Sequence, residues 1–99
     1  MVALESTIIS HGLPRPDNHA AARRFEGILE DQNVTPATVA LIDGVPKVGL
    51  EAKDLERIAF DESVVKVGSR DIAIAMARKV TGGTTVAATS VLAARAGLR

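Results

Sequence analysis

Cysteine, tryptophan and tyrosine are missing from this chain, and phenylalanine occurs only twice, at Phe25 and Phe60. Without cysteine there is no disulfide, no thiolate metal ligand and no thiol nucleophile. With so few rings there is no stacking platform of the kind that binds single-stranded nucleic acid. An excess of charge is lacking too. The 12 Lys and Arg residues balance 12 Asp and Glu, so no net field draws the chain to nucleic acid or to an anionic membrane. No apolar run approaches the ~20 residues of a membrane-crossing helix. Nor does Met1 lead into the basic stretch and long apolar core of a secretory signal, so a soluble, cytoplasmic protein is the expectation. Zinc spacings, the Walker loop, the dinucleotide fingerprint and the nucleophile elbow are absent as well. What is left to build a core is Ala, Val, Ile and Leu, which pack closely but bury little area each.

The chain has 99 residues, room for one domain. Val2-Ala3-Leu4 reads as a buried strand that delivers Glu5 at its C-terminal end, where open α/β sheets meet their ligands. His11 to Asn18, with Gly12, Pro14 and Pro16, reads as a loop. Asp17 or Asn18 then caps a helix to about Gln32 whose inward face is Ala21, Phe25, Ile28 and Leu29. Thr38 to Ile42 is a buried strand and Asp43-Gly44 a hairpin turn. Val45 to Leu50 returns as a short or edge strand because Pro46 cannot donate to a ladder.

Glu51 to Phe60 forms a helix with Leu55, Ile58 and Ala59 inward. Val64 to Val67 is a strand, in which Lys66 must point outward or find a partner. Asp71 to Thr81 reads as a helix capped by Ser69, with Ile72, Ala75 and Met76 inward. Gly82-Gly83 ends it, and Thr84-Thr85 opens a last helix, Val86 to about Ala96, apolar all round and so expected to be buried on every side. Alternating strands and helices predict the α/β class. A chain this short cannot surround both that helix and the sheet, which predicts a further portion of the same domain.

Glu5, set among hydroxyls, a histidine and a glycine, is the leading candidate for chemistry. The plain alternative is that it ends the strand in water or accepts hydrogen bonds from neighbouring backbone groups. Gly82-Gly83-Thr84-Thr85 has the composition of an anion cradle at a helix start, and equally of an ordinary helix junction. Lys66, Ser69 and Arg70 add positive charge and a hydroxyl consistent with a phosphorylated ligand, but Arg70 reads first as an exposed residue of a helix's first turn. His11, in the opening loop, is a better candidate than His19, and Lys47 either reaches a ligand or guards a sheet edge.

Four blocks occur together in order: Glu5-Ser6-Thr7-Ile8-Ile9-Ser10-His11-Gly12, Pro36 to Val45, Lys47-Val48-Gly49-Leu50, and Thr84-Thr85-Val86-Ala87-Ala88-Thr89. With them, and with Lys66 to Asp71, the chain resembles the pseudouridine-5′-phosphate glycosidases, also called the indigoidine synthase A-like family, along its whole length. That resemblance implies an α/β fold with a three-layer αβα-type mixed sheet, of which residues 1–99 are an N-terminal segment of a single larger glycosidase domain. It implies reversible cleavage of the carbon–carbon glycosidic bond of pseudouridine 5′-phosphate to uracil and ribose 5-phosphate.

In that scheme Glu5 matches the acid/base, Lys66 a substrate-contacting lysine, and Val86 a substrate contact through its backbone. The residue types suit the chemistry. The carbon leaving the sugar must be protonated by an acid, and the opened sugar needs an amine that forms a Schiff base as electron sink. The family's Schiff-base lysine and its metal-coordinating aspartate match nothing here, so manganese is expected with its ligand outside this segment, and the chain alone is expected to be inactive. A homo-oligomer, with a trimer as the candidate number, is implied by the same resemblance. Two other readings stay open: a non-catalytic module binding a sugar phosphate or another protein, and a truncated product without function.

Overall fold

A computed structural model describes residues 1–98. Its centre is β2 (Pro36–Ile42), the strand with the longest β-branched and apolar run, buried from Ala37 onward. Side chains alternate across a strand, so β2 feeds two cores. Ala40 and Ile42 pack with Ile9, Ala22, Leu55, Ile58, Ala59 and Val64. Val39 and Leu41 pack on the opposite face with Val67, Ile72, Ala75, Ala88 and Leu92. Helices α1 (Asp17–Asp31) and α2 (Ala52–Phe60) cover the first face, and α3 (Ile72–Ala77) and α4 (Val86–Arg95) the second. The result is three layers, helix on sheet on helix.

The sheet is mixed. β1 (Val2–Leu4) runs parallel to β2, whereas β3 (Val45–Val48) and β5 (Gly82–Thr84) run antiparallel to it, and β4 (Val65–Val67) lies parallel to β5 at the far edge. Asp43-Gly44 makes the expected two-residue hairpin turn. Both residues have positive φ, 51° and 81°, and a Cβ on Gly44 would strike the backbone of Met76 and Lys79. The tip is pinned from outside, by Val80 O accepting from Gly44 N and Thr81 Oγ1 from Asp43 N. The α2 reading also holds, with Leu55, Ile58 and Ala59 buried.

Five expectations are corrected. β1 is an edge strand with Val2 exposed, because only β2 pairs with it. In α1, Phe25 and Ile28 are exposed, and the buried residues are Asn18 and Ala22, one stripe further round. Asn18 is no cap: its Nδ2 donates to Ile9 O at 3.0 Å and Ala59 O at 2.6 Å, which turns that stripe inward.

The remaining three corrections fall in the second half of the chain. The helix after β4 is a 3₁₀ turn, Ser69–Asp71, followed by the short α3, and Met76 is exposed. Ser69 does not cap it; instead the Asp71 carboxylate accepts from Gly68 N. Gly82-Gly83 is the buried strand β5, where added Cβ atoms would collide with Val67 and Ser10. Finally, α4 buries Ala88, Thr89, Leu92 and Ala93 but leaves Val86, Ala87, Ser90 and Ala94 exposed, so one face and not every side is covered. No helix among the described residues is long and apolar enough to cross a membrane.

Candidate active site

Strands β1 and β5 run toward each other along β2. β1 pairs with it from Pro36 to Thr38, and β5 pairs with Ala40 and Leu41. They meet at Val39, where Ser6 N donates to Thr84 O at 3.0 Å. Two chain ends aimed at one point must both turn away. The first turns through Glu5 into a π-helical turn, Ile8–Gly12, and the second through Thr85 into α4.

Glu5 caps the turn it begins. Its carboxylate accepts from Thr7 N at 3.0 Å and Ile8 N at 3.4 Å, which fixes the orientation of a half-buried side chain. It also lines a groove of about 570 Å³ between β1 and α4, shared with Val86 at the start of that helix. Glu5, Thr89 and Ser90 supply polar side chains to an otherwise apolar wall. The first N–H groups of an α-helix have no intrahelical acceptor. Thr85 Oγ1 takes that of Ala88, leaving those of Val86, which lines the groove, and Ala87 without an intrahelical acceptor.

Glu5 and Val86 are therefore brought together, and Lys66 is not in their groove. Its register partner is Gly83, one step before the junction, and its side chain is exposed without a hydrogen bond or ion pair among the described residues. It alternates away from Val67, which faces α3 and α4. Ser69 and Arg70 are exposed on the following turn.

The anion cradle read from Gly82 to Thr85 is mostly spent on structure: Thr84 N donates to Ser6 Oγ at 2.7 Å and Thr85 N to Val67 O at 3.0 Å. His11 is exposed with Nδ1 2.6 Å from Ser10 Oγ, and His19 packs against Phe60 with ring centroids 5.1 Å apart. Lys47, on β3, which pairs only with β2, has its Nζ 2.9 Å from the carboxylate of buried Asp54.

The groups whose protonation the fold shifts lie outside the groove. The Arg57 guanidinium holds the Asp43 carboxyl below its ordinary range, and hydrogen bonds from Ser63 do the same for Asp61. Among the described residues no three His, Asp or Glu side chains come together to hold a metal, so these residues do not fit a manganese site.

Sequence reasoning missed the buried hydroxyls Ser6, Thr84 and Thr89. A signal existed, for Thr89 and Ser90 are the polar interruptions of a helix otherwise made of small apolar residues and Arg95.

The family model described as "Indigoidine synthase A like protein" matches residues 1–99. A pseudouridine-5′-phosphate glycosidase of Frankia alni is 56% identical over 99 residues, covering all of this chain and 27% of the relative. One from Saccharopolyspora erythraea is 54% identical, with 100% and 33% covered. The chain thus spans a third or less of the curated relatives it matches. An indigoidine synthase A-like protein from Thermotoga maritima superposes with a TM-score of 0.90 at 33% identity, covering 99% of this chain and 33% of that one. The prealnumycin C-glycosynthase, solved with ribulose 5-phosphate, gives a TM-score of 0.84 at 35% identity, with 100% and 32% covered.

Proposed function

The chain belongs to the indigoidine synthase A-like family, and from that premise we propose that it forms the N-terminal segment of a pseudouridine-5′-phosphate glycosidase with Glu5 as acid/base. The observation that carries this reading is the groove that Glu5 and Val86 share where β1 and β5 meet. A carboxylate at a strand exit, beside amide donors and an apolar wall, suits a flat base attached to a sugar phosphate. Glu5 exchanges the proton that the uracil carbon gains when the glycosidic bond breaks, and the Val86 N–H holds the substrate by its polar edge. Lys66 carries the substrate-contacting role in this proposal by its match to the family's lysine alone, since it is exposed on the strand beside β5 and outside the groove.

The Schiff-base amine and the manganese ligand come from outside these residues in this proposal, and the 99-residue chain alone releases no uracil. The whole protein is cytoplasmic and a homo-oligomer, with a trimer as the number to test. The test is a chimera in which these residues replace the matching segment of the Frankia alni relative. It should release uracil from pseudouridine 5′-phosphate, and Glu5→Gln should lower kcat about 10²–10⁴-fold, the range of a lost general acid. A folded chimera without uracil release, or an unimpaired Glu5→Gln, overturns the reading.

A further inference from the structure

Ser6, Thr84 and Thr89 are 0%, 0% and 5% exposed. Their hydrogen atoms can be assigned by counting. Each hydroxyl has one proton to give. Ser6 Oγ donates to Val39 O at 2.5 Å and Thr84 Oγ1 donates to the same carbonyl at 2.7 Å, which uses both of its lone pairs. Ser6 Oγ receives Thr84 N. Thr84 Oγ1, its proton committed, must be the acceptor from Thr89 Oγ1 at 2.8 Å. The Ser6 and Thr84 oxygens, 3.3 Å apart, then touch without sharing a proton.

Every buried polar atom of the cluster is satisfied in one direction only, from α4 through β5 to β2. Val39 is the residue that neither the β1 nor the β5 ladder covers. The cluster therefore fills the gap between two opposed strand ends. Its members are the residue after Glu5, the residue two before Val86, and a residue of the groove wall.

We propose that Ser6, Thr84 and Thr89 are positioning residues that set the Glu5 carboxylate against the start of α4; this rests on the glycosidase reading for its catalytic consequence, and on geometry alone for the rest. Fully satisfied buried networks specify one arrangement, and a half-satisfied one loses it. A displacement of about 1 Å at a catalytic group can cost 10²-fold in turnover.

The first measurement is amide hydrogen exchange on the full chain, comparing Thr84→Val, Thr89→Val and Thr84→Ser. Thr84→Val is expected to speed exchange about tenfold or more at Ser6 and Thr7, whose amides bond to Thr84 O and Glu5, with little change at Leu55 and Ile58 in α2. Thr84→Ser, which keeps the oxygen, should restore wild-type rates. Should Thr84→Val not fold, Thr89→Val decides, since it removes only the outermost donor. Unchanged exchange at Ser6 and Thr7, or equal loss throughout the molecule, overturns the proposal.

The second measurement is turnover in the chimera. Thr89→Val should lower kcat about 10-fold to 100-fold with KM nearly constant. A raised KM at constant kcat would make these residues part of binding and overturn their positioning role. A wild-type chimera that releases no uracil defeats the glycosidase reading, while the exchange experiment still decides whether the cluster positions Glu5.

Discussion

Single residues in this molecule are constrained where opposite charges are paired. Arg57 donates to both oxygens of Asp43, at 2.9 and 2.6 Å, clamping the hairpin tip to α2. That bond is the leading cause of the lowered Asp43 pKa, and the Ser63 hydroxyl is the leading cause for Asp61. A carboxyl whose folded pKa lies below its ordinary 3.8 binds fewer protons when folded. Its stabilising contribution is present above that pH and is lost as pH falls through the folded value. Lys47 has the opposite sign. Its pKa is raised above 10.5, chiefly by the bond to Asp54, so its contribution is present at neutral pH and lost as pH rises beyond that value. Asp43→Asn should therefore lower the urea midpoint at pH 7, and the gap to wild type should close below about pH 3.8. A gap that persists well below that pH would mean that the carboxylate charge is not its source.

At the scale of elements, strand β5 has the least predictable composition. Glycine is a poor strand former, and Gly82-Gly83 followed by threonines reads locally as a helix boundary. What makes it a strand is distant in sequence: Val65 and Val67 on one side, and Ser6 and Ser10 on the other, approach too closely for any side chain. By contrast, a methyl group added at Gly27 in α1 would meet nothing within 4 Å. The same substitution should have opposite signs at the two sites. Gly83→Ala should destabilise by about 1–3 kcal/mol through overpacking, and Gly27→Ala should stabilise by about 0.5–1 kcal/mol by removing a helix glycine. Thermal unfolding of both variants is the check, and a neutral Gly83→Ala would contradict the close approach.

For the molecule as a whole, β2 is the common wall of both cores, and Leu41 is fully buried on the face toward α4. Leu41→Ala should cost about 2–5 kcal/mol in denaturant unfolding. Ile28→Ala, on the open face of α1 with Ile28 48% exposed, should stay within about 0.5 kcal/mol. Equal losses would show that α1 turns its Phe25 and Ile28 stripe inward after all. Open apolar residues on α1 and α4 leave the described residues with two partly uncovered outer surfaces, consistent with a chain that spans a third or less of its curated relatives.

The sequence by itself determined the α/β class, β2, the Asp43-Gly44 turn and α2, because each depends on neighbours within a few positions: β-branched runs, a positive-φ dipeptide, a 3.6-residue apolar stripe. It also placed Glu5 at the exit of the first strand. Tertiary structure alone decided that β1 and β5 oppose each other at Val39, that Glu5 and Val86 consequently share a groove, and that Lys66 stands outside it. Those outcomes depend on which strands pair and in which direction. Pairing energy resides in contacts 33 to 78 residues apart, such as Ser6 with Val39 and Thr84, and no local pattern encodes them.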